Sequence, residues 1–566
     1  MSLALPLRST RGSLFLILTI WTGIVCWNPD NLIGAQQATK SSRAEEKVEQ
    51  PFFLVHIAGI NRWLKNLDTI TTEIKRPEIS TAIRTLLALN GDLPGLDRTK
   101  PLGVMSFINP GEAPEPVAVG FLPVSDVKDF QQTVFRLSRS ALEPVASSKN
   151  RFTWKWGTHT FHVVIRNGYA YLARSPVSLK RRLPNPTVDF PLAVRQKDLA
   201  VEFHLDRVPD GMKTMILDYL RAADAENGQR RFRDSAASFQ YRRVFSKTTL
   251  ETLSQLANDG KRISLGWRIS QKNQKTTVSF DLQLDALPRT PLSQSLARMS
   301  SQASRFHDEK PGKHPLELHM SWFMGPGTQN LLMSAIQLAK NRNQQIRNRQ
   351  HPATDQLLDL LAAIVQSGHT NSTLQLRKVS SGKPPWKNYA LMAGVRIPTN
   401  KEFPNSVKRF LIDLERHNWI SKLQSETEKS KGLYWSHFDL PVSNFRPHEH
   451  SAVTMGVEQQ TLWLGVANDR SKPIPPTAFE SLKRPSTNSL NNRDQLARLS
   501  LRMSKVLPLL APNPAADELT KTAYQSFSPE RDAARIEITT NSRQLKFHLE
   551  LQSGYLRYAA SLLLPK

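Results

Sequence analysis

Apolar residues recur along this chain at two spacings, and the two alternate. Phe52–His56 reads as a strand, and Ile60, Trp63, Leu64, Leu67, Ile70 and Ile74 follow at helical spacing. Leu102–Ile108, a turn at Asn109-Pro110-Gly111 and Val117–Leu122 read as a hairpin. Pro123 then leads into a helix containing Lys128-Asp129-Phe130. Proline suits such a corner, because it cannot donate to a ladder and its φ fits a helix start. A second hairpin joins Phe161–Ile165 to Tyr169–Ala173 through Asn167-Gly168, the strongest short-range hairpin signal. Val201, Phe203, Leu205 and Pro209 form another strand with its proline. Val278, Phe280, Leu282 and Leu284 alternate strictly, which predicts one buried face and one wet face.

The same succession returns with a period of roughly 270–300 residues. Leu316–Phe323 leads into Leu331, Leu332, Ile336 and Leu338. Thr373–Val379 turns at Ser381-Gly382 into Ala390–Ile397, Pro398 and Lys401-Glu402-Phe403. Ala452–Val457 turns at Gln459-Gln460 into Thr461–Val466, which places Trp463 where the first copy has Tyr171 and Leu464 where it has Leu172. Leu499, Leu501, Met503 and Pro508 match the Pro209 strand, and Leu545, Phe547, Leu549 and Leu551 match the closing strand. The expected fold is therefore α+β: a tandem duplication of two domains, each a mostly antiparallel sheet backed by helices. A doubly wound parallel sheet would need near-continuous apolar strands instead.

The first residues lie outside this pattern. Arg8 and Arg11 precede the apolar run Leu14–Trp27, and Ile33-Gly34-Ala35 supplies small residues for cleavage. This is the layout of a signal peptide, and the run is shorter than the roughly 20 residues of a membrane span. An uncleaved N-terminal anchor is the alternative. The expected organisation is a signal peptide over 1–35, a polar linker over 36–50, a first repeat over 51–310 and a second over 311–566. Residues 210–260 read as a helical basic insertion in the first repeat. Cys26, the one cysteine of the 566 residues, leaves with the leader. The mature chain is then cysteine-free, which excludes a disulfide scaffold and a cysteine zinc module. The expected location is the periplasm or the cell exterior.

Chemical motifs are sparse. There is no HExxH, Gly-x-Ser-x-Gly or Walker A pattern. Gly325-Pro326-Gly327 lies between strand and helix, but Asn330 stands where a dinucleotide fingerprint has its third glycine. His448-Glu449-His450, with His437, is the densest set of potential metal ligands, and its turn-rich context argues against a preorganised site. No catalytic, metal or cofactor residue is assigned, and no cofactor is expected.

Charge changes the picture more. Lys plus Arg number 76 against 49 acids, a formal charge of +27. The cations gather at Lys180-Arg181-Arg182, at Lys340, Arg342, Arg347 and Arg349, and above all at Arg230, Arg231, Arg233, Arg242, Arg243 and Lys247. This last group is interleaved with Phe232, Phe239, Tyr241 and Phe245. Clustered cations hold polyanions through salt-sensitive contacts. Outside a cell the candidates are acidic polysaccharide, anionic lipid headgroups or an acidic envelope protein, rather than nucleic acid.

The single leader, the cysteine-free body and units such as Val119-Gly120-Phe121-Leu122-Pro123 resemble large exported proteins of unknown function from planctomycete-type bacteria. The resemblance implies an envelope or secreted location and no activity. The expected function is a non-enzymatic exported binding or structural protein of the bacterial cell envelope that engages an anionic partner through the six cations of 230–247. The alternative is an exported hydrolase acting on an acidic polymer, or an inactive descendant of one.

Overall fold

A computed structural model describes residues 48–563 except 90, 110–113, 147, 228, 231–233, 274, 301–303, 305, 307–311, 346–351, 380–387, 400–401, 429–432, 442–449, 459, 468–473, 484–493, 512 and 516. The leader, most of the linker, and the turns at Pro110-Gly111 and Ser381-Gly382 lie outside the described residues. The chain is α+β, with 42% of the described residues in helix and 36% in strand. It forms two compact units: the chain up to Val201 together with the residues from Ala559 on, and Glu202–Tyr558, so that the last turns of the C-terminal helix belong to the first.

The first unit contains β1 (Phe53–Ile57), α1 (Ile60–Glu73), α2 (Pro77–Leu89), β2 (Leu102–Asn109), β3 (Glu115–Pro123), α3 (Val127–Ser138), β4 (Leu142–Pro144), β5 (Arg151–Trp156), β6 (His159–Arg166) and β7 (Tyr169–Ala173). The chain leaves this unit within β8 (Leu199–His204). Strand order across the sheet is β8-β1-β2-β3-β7-β6-β5-β4. Asn167 and Gly168 both take positive φ, 53° and 73°, so the β6–β7 turn has the twist that suits a hairpin. Both sheet faces are packed. One carries Met105, Phe107, Val119, Phe121, Tyr169 and Tyr171 under Leu179, Leu183 and Phe190. The other carries Phe152, Val163 and Ile165 under Phe130 of α3. Asp126 caps α3 by accepting from the Asp129 N–H at 2.9 Å.

The second unit opens with α4 (Asp210–Asn227), α5 (Ala236–Asp259), β9 (Gly260–Lys272), β10 (Lys275–Ala286) and α6 (Pro291–Ser300). Then follow β11 (Leu316–Phe323), α7 (Pro326–Gln345), α8 (Pro352–Gln366), β12 (His369–Lys378), β13 (Tyr389–Arg396), α9 (Phe403–Arg416), β14 (Ser421–Glu428), β15 (Leu433–Pro441), β16 (His450–Glu458) and β17 (Thr461–Ala467). The unit closes with β18 (Gln495–Arg502), α10 (Met503–Leu510), α11 (Glu518–Ser526), β19 (Ala533–Asn541), β20 (Gln544–Gln552) and α12 (Ser553–Leu563). Its sheet order is β9-β10-β20-β19-β18-β11-β12-β13-β17-β16-β15-β14, antiparallel at every step.

The run β18-β11-β12-β13-β17-β16-β15-β14 matches the first unit's order strand for strand. Cross-strand rungs agree as well: His56–Gly103–Phe121–Tyr171 in one, His319–Thr373–Gly394–Trp463 in the other. Residues 210–260 hold α4 and α5, and the same place in the second run holds the much shorter α10 and α11. The two closing strands, β10 and β20, pair with one another along their length, with Phe280 opposite Leu549. The second unit therefore contains both sides of the expected boundary between 310 and 311.

One expectation fails in an informative way. Alternation holds in β10 and β20, but only Val278 of the named apolar positions is well buried, while Leu282 is 44% exposed. On β11 and β12 the polar positions are the deeper ones: Glu317 and Gln375 have no exposed surface, while Leu316, Leu318, Leu374 and Leu376 are half-buried. Periodicity shows that two faces differ. It does not show which face the rest of the chain covers.

Candidate functional site

Three surfaces of the second unit bear on function. The first is the basic segment. Arg231 and Arg233 lie outside the described residues, as do Arg347 and Arg349. Arg242 is tied into the fold: it forms an ion pair with Asp234, donates to the Gln229 carbonyl at 3.2 Å and lies over the Phe239 ring at 5.9 Å. Arg230 is exposed and donates to the Asp234 carbonyl at 3.3–3.4 Å. Arg243 and Lys247, four residues apart on α5, share one helix face and are both exposed. Lys247 meets only the exposed Glu251, at 3.9 Å, and such pairs contribute little. So the structure brings Arg243 and Lys247 together on one exposed helix face and withdraws Arg242. In the first unit, Arg181 is also structural, pairing with Glu49 and Asn109 and lying over Phe107. Lys340 pairs with Asp359 of α8.

The second surface is the polar face of the central strands. One rung runs Thr373–His319–Arg498–Glu537–His548–Asp281, and its neighbour runs Gln375–Glu317–Ser500–Arg535–Glu550–Ser279–Arg268. Toward β12 these residues are buried, and Arg377 donates to Gln375 Oε1 at 2.7 Å while the Gln375 amide meets His319 Nε2 at 3.4 Å. Toward β10 they are about one-third exposed. There His548 Nδ1 lies 2.6 Å from Asp281 Oδ1, and Nε2 lies 3.8 Å from Glu550. Hydrogen bonding to His548 holds the Glu550 carboxyl below its ordinary range. An Asp–His pair at a partly open surface can orient an imidazole as a proton acceptor.

The third surface is the opposite, apolar face. Its rungs are Leu374–Leu318–Leu499–Ile536–Leu549–Phe280–Trp267 and Met320–Ala497–Ile538–Phe547–Leu282–Leu265. Five buried apolar clusters occur among the described residues, and none draws on β9, β10, β19 or β20. Leu265 is 43% exposed, matching Leu282. No residue of the 24-residue α5 is buried. Val278 and Ile269 of the same face are buried and α6 packs on β11, β18, β19 and β20, so the exposure is confined to Leu265 and Leu282, and single exposed leucines are ordinary.

No group of three metal-ligating side chains converges among the described residues. His437 contacts Thr454 Oγ1 at 3.0 Å, and His448-Glu449 lies outside the described residues. Gly325-Pro326-Gly327 lies at the start of α7, whose first residue is Pro326. Among the described residues no helix is long and apolar enough to cross a membrane. No protein-family model, curated protein or solved structure matches the chain.

Proposed function

We propose that this chain is an exported, non-enzymatic binding protein of a bacterial cell envelope that engages an anionic partner through the basic surface of α5. The observation that carries the reading is the exposure of Arg230, Arg243 and Lys247. Among the described residues, neither Arg230 nor Arg243 has an ion pair, and Lys247 has only a long one at 3.9 Å. A net charge of +27 adds a long-range attraction for anions. The test is retention on an anionic matrix across a salt series. Arg230→Gln, Arg243→Gln and Lys247→Gln together elute at lower salt than the native chain. Unchanged elution refutes the assignment.

We also read the chain as two repeats, 51–310 and 311–566, descended from one unit. What supports this is the common strand order, the helix pair at the same place in each run, and the pairing of the two closing strands with each other. The second functional reading, a hydrolase acting on an acidic polymer, has in its favour the Asp281–His548 pair. Polyuronate hydrolysis that is lost in His548→Asn would select it over the first.

A further inference from the structure

We infer that the junction of β10 with β20 is a two-fold dimer interface retained within one chain. Asp281 opposite His548, the pair on its axis, selects this junction over pairing between like strands of two copies. This rests on the two repeats proposed above. In the correspondence of the closing strands, Val278 matches Leu545, Phe280 matches Phe547, Leu282 matches Leu549 and Leu284 matches Leu551. In the ladder, Val278 lies opposite Leu551, Phe280 opposite Leu549, Leu282 opposite Phe547 and Leu284 opposite Leu545. Exchanging the two strands therefore reproduces the ladder, as in an isologous interface. The next strands follow the same symmetry. Trp267 of β9 lies opposite Phe280, and Ile538 of β19 lies opposite the matching Phe547.

A single position of this ladder lies opposite its own counterpart. Asp281 corresponds to His548, midway along the matched strands, and the register places the two opposite each other. In a dimer of identical chains this position would face its own copy, so that two aspartates or two histidines would meet there. Here the residues differ and complement one another. His548 Nδ1 lies 2.6 Å from Asp281 Oδ1, and the two side chains are 34% and 33% exposed.

A symmetric ladder is also degenerate. If β20 met β20 of a second copy in the same register, Phe547 of each would again lie opposite a leucine, Leu549 of the other. Phe280 and Leu282 would do the same for two β10 strands. Such alternatives are told apart only by the side chains that differ between them. Ser279 lies opposite Glu550, and Gln283 opposite Lys546. With two β20 strands, Lys546 of each would face Glu550 of the other, which favours that pairing. The same exchange leaves both β10 strands to pair, and there Asp281 would face its own copy. Like charges directly opposite are destabilising, so the axis position opposes the exchange and favours the intrachain junction.

The test refolds full chains from urea and reads their association by native mass spectrometry. The native chain is expected to be monomeric. Asp281→His places histidine on both strands and His548→Asp places aspartate on both, so neither variant distinguishes its own strands. Both positions are partly exposed, and the fold tolerates the changes. Refolded together, the two variants offer an Asp–His axis only between unlike chains. A one-to-one heterodimer is expected, at no less than fivefold the dimer of either variant alone. Asp281→His combined with His548→Asp restores the pair within one chain, and this chain stays monomeric although Glu537 and Glu550 then flank an acid. A heterodimer no more abundant than the dimer of either variant alone overturns the proposal. So does a dimer of the doubly exchanged chain, or of the native chain, under the same conditions. Each of these results leaves the strand order of the two runs as it is, so the axis pair can lose its role while the reading of two repeats stands.

Discussion

Replacing Gly394 by alanine should cost far more than replacing Gly120, although the two glycines lie in matching strands, β13 and β3. A Cβ on Gly394 would lie 2.5 Å from Trp463 Cζ3 and 2.7 Å from Phe306 Cε1. Neither ring can yield easily. Trp463 is 2% exposed and Phe306 1%, they meet edge to face at 5.6 Å, and Phe479, with no exposed surface, backs Trp463 at 5.4 Å. Forcing a methyl into such packing costs about 1–3 kcal/mol. Gly120 differs, because its nearest neighbour to a new Cβ is Leu172 at 3.8 Å, an ordinary contact. There the loss of glycine's unfolded-state freedom favours alanine by roughly 0.5–1 kcal/mol. Amide hydrogen exchange on peptides covering β13–β17 and β3–β7 reads each substitution in its own unit, which a global melt of a two-unit chain would blur. The expected result is faster exchange by about 2 kcal/mol in β13–β17 for Gly394→Ala and unchanged or slower exchange in β3–β7 for Gly120→Ala. Equal effects would refute the packing argument.

Two further expectations concern protonation. Burial pushes the Asp285 carboxyl up, but hydrogen bonds from Gln544, Arg262 and Gln283 outweigh it and leave the group below its ordinary value. A depressed carboxylate stabilises above its unfolded pKa and loses that contribution as pH falls through the folded one. The urea midpoint of the native chain should therefore drop more steeply below roughly pH 4 than that of Asp285→Asn, and parallel profiles would sink the idea. Burial pushes the Tyr171 phenol up to about 12, and its hydroxyl donates to the Pro184 carbonyl at 3.0 Å. A raised acid of this kind is fully stabilising below its unfolded pKa of about 10 and loses that contribution as pH rises. Tyr171→Phe should cost about 1 kcal/mol at neutral pH and flatten the alkaline limb of the stability curve, whereas a limb of unchanged slope counts against it.

The parts of this fold legible in the sequence are the local ones. Asn167-Gly168 specifies its hairpin through positive φ at two adjacent positions, and the correspondence of Tyr171 with Trp463 falls on matching rungs. The prolines at 123 and 398 mark strand ends because they terminate ladders. What was not legible depends on partners far along the chain. Nothing in Val278–Leu284 states that its neighbour is Leu545–Leu551, since either edge of an alternating strand can pair. Glu317 could not be read as buried either, because a charged residue in an alternating strand ordinarily faces water. In the structure its Oε1 accepts from the His314 N–H at 2.7 Å, a contact no periodicity encodes. At the candidate site, spacing found the cations of α5, but only coordinates separate Arg242, spent on Asp234, from the outward Arg243.

The pairing of β10 with β20 also carries a kinetic consequence. Asp285 meets Gln544 only after 259 further residues have been made, so this part of the sheet cannot close until β20 has been synthesised. Contacts of such long sequence separation are slow to form. In the interval β10 is a long strand with an open edge, the kind that recruits other chains. The synthesis of β20 is therefore what ends the period in which that edge is at risk of aggregation.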